Sequence, residues 1–187
     1  MSAEKRMLWI TVGKSGDKWC PWWISGSITS VRSLPFRRPE GFTVSMFLGR
    51  YAHALDAKGR LAIPARFREA LADGVVLTRG IDRCVALYPI SEWQPLAEKV
   101  RALPITDPDA RNFRRMVFAE ATDLTLDGQG RILVPPELRR YAGLERETLV
   151  VGVDTAIEIW SPERWQAVQA VMDADGAAIA QRLATLI

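Results

Sequence analysis

The chain is short of the residues that carry most chemistry. It has one histidine, His53, and two cysteines, Cys20 and Cys84. A nucleophilic triad would have to rest on His53 alone, which sits in a strand-like pattern with no nucleophile elbow nearby. No catalytic residues are assigned and no enzyme is expected. The cysteines lack metal-ligand spacing, so no metal or other cofactor is expected, and a reduced cytoplasmic chain is the default. Cys84 reads as a small strand residue. No stretch approaches the roughly 20 apolar residues needed to span a bilayer. Gly13-Lys14-Ser15 has the ending of a phosphate loop, but the earlier glycine would fall at Leu8, which excludes that motif.

A strong charge of one sign is also missing from most of the chain. The net charge is +3 and the isoelectric point about 9.1. Residues 1–45 hold seven basic and three acidic side chains; residues 46–187 hold eighteen and nineteen, a net of −1. Basic composition therefore gives no argument for nucleic acid beyond residue 45. The first 45 residues also hold Trp9, Trp19, Trp22 and Trp23, four of the seven tryptophans, without steady periodicity. They are expected to be disordered or an extension from too early a start codon, with Met46 as the true start. They do not form a signal peptide: the apolar run 7–12 is short, and no clear small-residue cleavage site follows.

What the chain does have is a repeat. LDAKGRLAIPARFR at 55–68 returns seventy-one positions later as LDGQGRILVPPELR at 126–139, with six identities. Average residue usage gives roughly one by chance. With one residue inserted, GIDRCVALYPISEW at 80–93 lies over GVDTAIEIWSPERW at 152–165. A duplicated module of about fifty residues has to be read before anything else.

Each copy predicts the same run of elements. A short strand (51–55; 122–126) ends in a D-x-x-G-R turn, where Asp56 or Asp127 accepts backbone hydrogen bonds and Gly59 or Gly130 supplies positive φ. A second strand follows (61–63; 132–134), then Pro64 or Pro135 opening a short amphipathic helix. Two more strands close the unit, near 75–78 and 84–88 and near 148–151 and 156–160. Such a unit is too small to bury a core alone, so two copies should pack together about a pseudo-two-fold, with further oligomerisation. The reading gives module one at 50–97, a helical linker at 98–120, module two at 121–164 and a helical tail at 165–187. Asp107-Pro108 caps one linker helix, and the tail looks interrupted near Asp175-Gly176.

The repeated polar feature is Arg60/Arg131, with Arg68/Arg139 eight residues on. These arginines could brace the turn or pair with nearby carboxylates. Alternatively, guanidinium groups on rigid hairpins meet phosphates and guanine edges. Copy one is the more basic around its hairpin, with Arg50, Lys58, Arg60, Arg66 and Arg68 against Arg131, Arg139 and Arg140.

At these residues the chain resembles a known family. MFLGRYAHALDAKGRLAIPARFR is similar to the start of MraZ, a bacterial regulator linked to the division and cell-wall gene cluster, and DGQGRILVPPELRRYAGL is similar to its second half. The resemblance runs from 46 to about 165 in order and spacing. It implies an α+β fold of tandem duplicated SpoVT-AbrB-type swapped-hairpin β-barrel modules with flanking amphipathic helices. It also implies a homo-oligomer, a ring, that binds double-stranded DNA at repeated promoter elements, including those of its own gene, as a cytoplasmic, nucleoid-associated regulator.

The family's DNA-contacting basic positions fall on Lys58 and Arg60. Arg131 matches Arg60, whereas Gln129 replaces the lysine. The expected DNA-binding set is Lys58, Arg60, Arg66, Arg68 and Arg131, around the turn residues Asp56, Gly59, Asp127 and Gly130. A ring that presents one basic hairpin per subunit reconciles this with a net charge of −1, because local charge and additive weak contacts matter more than the total. The alternative is an oligomeric protein-interaction module without specific DNA binding.

Overall fold

The computed structural model describes residues 46–184. The expectations for residues 1–45 lie outside the described residues. From Met46 onward the two copies fold as the repeat predicts. Copy one is β1 (Phe47–Ala54), β2 (Arg60–Ala62), α1 (Ala65–Arg68) with a 3-10 turn at Glu69–Leu71, β3 (Val75–Arg79) and β4 (Val85–Pro89). Helices α2 (Ile90–Arg101) and α3 (Pro108–Phe118) connect it to copy two. That copy is β5 (Thr122–Leu124), β6 (Arg131–Leu133), α4 (Pro136–Ala142), β7 (Glu147–Asp154) and β8 (Ala156–Trp160), and α5 (Pro162–Leu183) follows.

The strand order is β1-β7-β8-β4-β3-β5, with β2 and β6 paired separately. Exchanging the two copies leaves this order unchanged. Each copy therefore lends its first strand to the other's hairpin: β1 runs antiparallel to β7 from Phe47↔Asp154 to Ala54↔Glu147, and β5 runs antiparallel to β3. At the centre, β4 pairs with β8 across the pseudo-two-fold. The swap has an energetic cause. Leu55, Leu61, Phe67 and Leu77 of copy one share a single buried cluster with Ile132, Leu138, Val150 and Ile157 of copy two. Neither copy could remove that apolar surface from water by itself.

The expected barrel does not close by hydrogen bonds among the described residues. β5 is only three residues long, and the β2–β6 ribbon likewise has three pairs. A single bridge, Leu55↔Leu61, links ribbon to sheet. The ribbon still completes the enclosure through side chains, because Leu61 and Ile132 point into the common core.

The flanking helices are capped as their sequences indicate. Asp107 Oδ1 accepts from the Asp109 amide at 2.8 Å, and Ser161 Oγ from the Arg164 amide. Arg114 donates to the carbonyls of Val100, Arg101 and Leu103, satisfying the end of α2. The tail departs from expectation: α5 runs without a break through Gly176. A glycine in a helix interior costs about 1 kcal/mol but removes no hydrogen bond, so it weakens the helix without ending it. Cys84 is buried one residue ahead of β4, and burial pushes its thiol up to about 12.

Candidate nucleic-acid interface

The two D-x-x-G-R turns share one hydrogen-bond plan and differ at the guanidinium, since Arg131 also brings Nη2 to 2.7 Å from Asp127 Oδ2 while Arg60 meets Asp56 through Nε alone. In copy one, Asp56 Oδ1 accepts from the amides of Lys58 and Arg60, each at 2.9 Å, while Oδ2 accepts from Arg60 Nε at 2.6 Å. In copy two, Asp127 Oδ1 accepts from the amides of Gln129 and Arg131, each at 2.9 Å, and Oδ2 from Arg131 Nε at 2.8 Å. Gly59 and Gly130 close the turns at φ of 80° and 73°, a conformation that glycine adopts without strain. Both amides donate back to the turn aspartate's carbonyl, at 2.9 and 2.8 Å.

Each turn is then tied to the other copy. The Ile63 amide donates to the Gly130 carbonyl and the Val134 amide to the Gly59 carbonyl, both at 2.9 Å. The arginines eight residues on complete the exchange. A Cβ at Gly130 would meet Arg68 Nε at 2.3 Å, and one at Gly59 would meet Arg139 Cζ at 2.8 Å. Arg68 of copy one thus packs on the turn of copy two, and Arg139 of copy two on the turn of copy one. Arg68 Nε also donates to the Ile63 carbonyl at 2.8 Å. Arg139 Nε is buried and has no hydrogen-bond partner among the described residues.

The expected basic residues therefore separate into groups. Arg60 and Arg131 begin the ribbon strands, and alternation turns them to the side opposite Leu61 and Ile132. Lys58 and Gln129 are exposed at the turn tips. Arg66 is exposed, with Nη1 donating to the Tyr51 hydroxyl at 2.9 Å and its guanidinium 5.8 Å from the centre of the Phe67 ring. Arg68 is committed to the neighbouring turn. Its identity with Arg139 was visible in the repeat, but which turn each would support was not, because that depends on the swap.

The aspartates hold the arginines in a defined pose. Asp56 grips Arg60 by Nε, and no hydrogen bond to its terminal nitrogens is made among the described residues. A carboxylate behind Nε leaves the outer edge of the planar fork to receive two acceptors side by side, the pattern that guanine O6 and N7 or a phosphate presents. The pairing also shifts the acids. The Arg60 amide and then its guanidinium hold the Asp56 carboxyl below the usual range. The Arg131 guanidinium and then its amide bring Asp127 down to about 2. His53, in β1, is pushed below its ordinary value by burial and then by Arg68. These shifts leave the carboxylates charged and the imidazole neutral near pH 7.

Tandem modules of the AbrB-like type, each lending its first strand to the other, are the class of protein that this fold and its paired turns define. The family model for the MraZ protein matches residues 46–116 and again 117–186. The chain belongs to the MraZ family. It is 70% identical over 142 residues to a Thermomicrobium roseum protein named transcriptional regulator MraZ, covering 76% of this chain and 100% of that one. A Herpetosiphon aurantiacus protein of the same name is 59% identical over 123 residues, 66% of this chain and 86% of that one. A Roseiflexus protein, also so named, is 52% identical over 141 residues, 75% and 99% of the respective chains. These relatives are named as regulators and not as enzymes. Among the described residues, no helix is long and apolar enough to cross a membrane.

Proposed function

We propose that this protein is a transcriptional regulator that binds double-stranded DNA sequence-specifically. Its sites are repeated promoter elements of the division and cell-wall gene cluster, its own gene included. The observation that carries the reading is the pair of guanidinium groups on the outer face of a two-stranded ribbon, each gripped by its turn aspartate. A ribbon of this width fits the major groove of B-DNA. The modules at 50–97 and 121–164 act as one unit, because neither completes its sheet alone. The protein works as a homo-oligomer, a ring, in the cytoplasm on the nucleoid. The tail supports assembly: α5 has no buried residue, and Val171, Met172 and Leu183 are exposed on it. Several modest contacts to successive repeats then add through effective concentration.

The test is Arg60→Ala, measured by fluorescence anisotropy on a duplex taken from upstream of the protein's own gene. One lost base or phosphate contact costs roughly 1–3 kcal/mol, and each engaged subunit repeats the loss, so specific binding should vanish. Arg131→Ala should be milder, because Gln129 stands where the first turn has Lys58. Equal losses from the two variants would refute this asymmetry. If Arg60→Ala binds normally while light scattering shows the oligomer dissociating, the arginine is a brace and the protein-interaction reading takes its place.

A further inference from the structure

The ribbon's outer face carries four side chains, and only two of them are arginines. The register places Arg60 opposite Leu133 and Ala62 opposite Arg131, with Leu61 and Ile132 between them on the buried side. Leu133 is 55% exposed although Ile132 beside it is 1% exposed. No core position explains it, since strand alternation sends it outward. Directly opposed residues on one face of an antiparallel pair have Cβ atoms about 5 Å apart. An apolar side chain thus stands immediately beside the guanidinium that Asp56 holds in place.

We infer that Leu133 reads a thymine, through its C5-methyl group, next to the base or phosphate that Arg60 contacts. This rests on the DNA-binding reading and adds a specificity-determining residue to it. The major groove offers one apolar feature, the thymine methyl, and a branched aliphatic side chain projecting from a ribbon is suited to cover it. Charge supports the occupant: Arg60 and Arg131 flank the leucine on its own face, each paired with its turn aspartate, and Lys58 at the neighbouring tip makes no ion pair among the described residues, so these five groups leave a net positive charge for a polyanion. The equivalent position in copy one is Ala62, whose single methyl reaches less far. The pseudo-symmetric surface therefore reads its two sides unequally, with a thymine requirement beside Arg60 and tolerance beside Arg131.

The experiment begins with duplexes enriched from a random-sequence library by the full-length oligomer. Each thymine of the enriched site is replaced singly by deoxyuridine, which removes only the methyl group. One position should weaken wild-type binding about three- to fivefold, the worth of roughly one buried methyl-sized group. Leu133→Ala should weaken binding to the thymine duplex by at least that factor, lose all sensitivity to deoxyuridine at that position, and keep its oligomeric state by light scattering. The inference is overturned if no single thymine is sensitive or if Leu133→Ala retains the wild-type sensitivity. It is equally overturned if the variant changes assembly while its DNA preference is intact, which would make Leu133 a subunit contact. Failure to enrich any site sinks the DNA-binding reading itself, an outcome distinct from the other three.

Discussion

If Arg68 supports the turn of the other copy, substitutions at Arg68 and Gly130 must be coupled although 62 positions separate them. Gly130 adopts φ of 73°, and a Cβ there would stand 2.3 Å from Arg68 Nε, 2.5 Å from Cζ and 2.6 Å from Cδ. Gly130→Ala meets two costs. The left-handed backbone costs a residue with a Cβ roughly 1–2 kcal/mol. Arg68 must also move and give up its 2.8 Å bond to the Ile63 carbonyl, about 1 kcal/mol net. The single variant should therefore lose roughly 2–3 kcal/mol. Arg68→Ala alone should lose about 1 kcal/mol by leaving that carbonyl unpaired. In the double variant no guanidinium remains to displace, so the two losses should fall short of additivity by about 1 kcal/mol. Urea unfolding of the four proteins at one fixed concentration measures this through the midpoint, with an unchanged m-value. Additivity within about 0.3–0.5 kcal/mol refutes the cross-copy brace. Gly59→Ala provides the internal comparison: the nearest Arg139 atoms lie at 2.8–3.1 Å, so its cost should be the smaller.

Phe67 is buried and meets Phe47 and Tyr51 edge-on at 5.2 and 5.4 Å; Phe67→Ala should lose roughly 3–5 kcal/mol in thermal unfolding, and a loss near zero would show the cluster is not packed as described. Asp127 at about 2 and Asp56 below its ordinary value are depressed in the folded state. Their contribution is complete above the unfolded value of about 4 and disappears as pH falls through the folded values, so Asp127→Asn should flatten the acid limb of stability between about pH 4 and pH 2. An unaltered limb would exclude the Asp127–Arg131 pair as its source. A protein beginning at Met46 should match the full chain in circular dichroism, light scattering and DNA binding, because the core of the described residues closes from Phe47 onward; loss of any of these would give residues 1–45 a structural part.

The local elements were legible because their causes are local. The Asp56 and Asp127 turns need only an acceptor side chain, a glycine and a chain reversal, and all of these lie within five residues. Pro64 and Pro135 precede their short helices as expected, and Asp107 caps α3. The seventy-one-residue echo also implied that the two halves would pack as a pseudo-symmetric pair, because one copy has too little apolar surface to fold alone. Where local preference is weak, sequence and structure part: Gly176 lowers helix propensity without removing a hydrogen bond, and α5 passes through the expected interruption.

The sequence by itself determined the modules, their turns and the family, since each depends on residues close together or on a repeat that can be counted. Only the tertiary structure decided which arginine faces outward. Arg60 and Arg68 are the same residue type eight positions apart in one basic run, yet one is held outward by its own aspartate and the other packs on the opposite turn. The β2–β6 register likewise brought Leu133 beside Arg60, a pairing between residues 73 apart. Strand exchange is a choice between partners at similar local cost, settled by which arrangement buries Leu61 and Ile132 in one core, and that balance is a property of the whole assembly of strands.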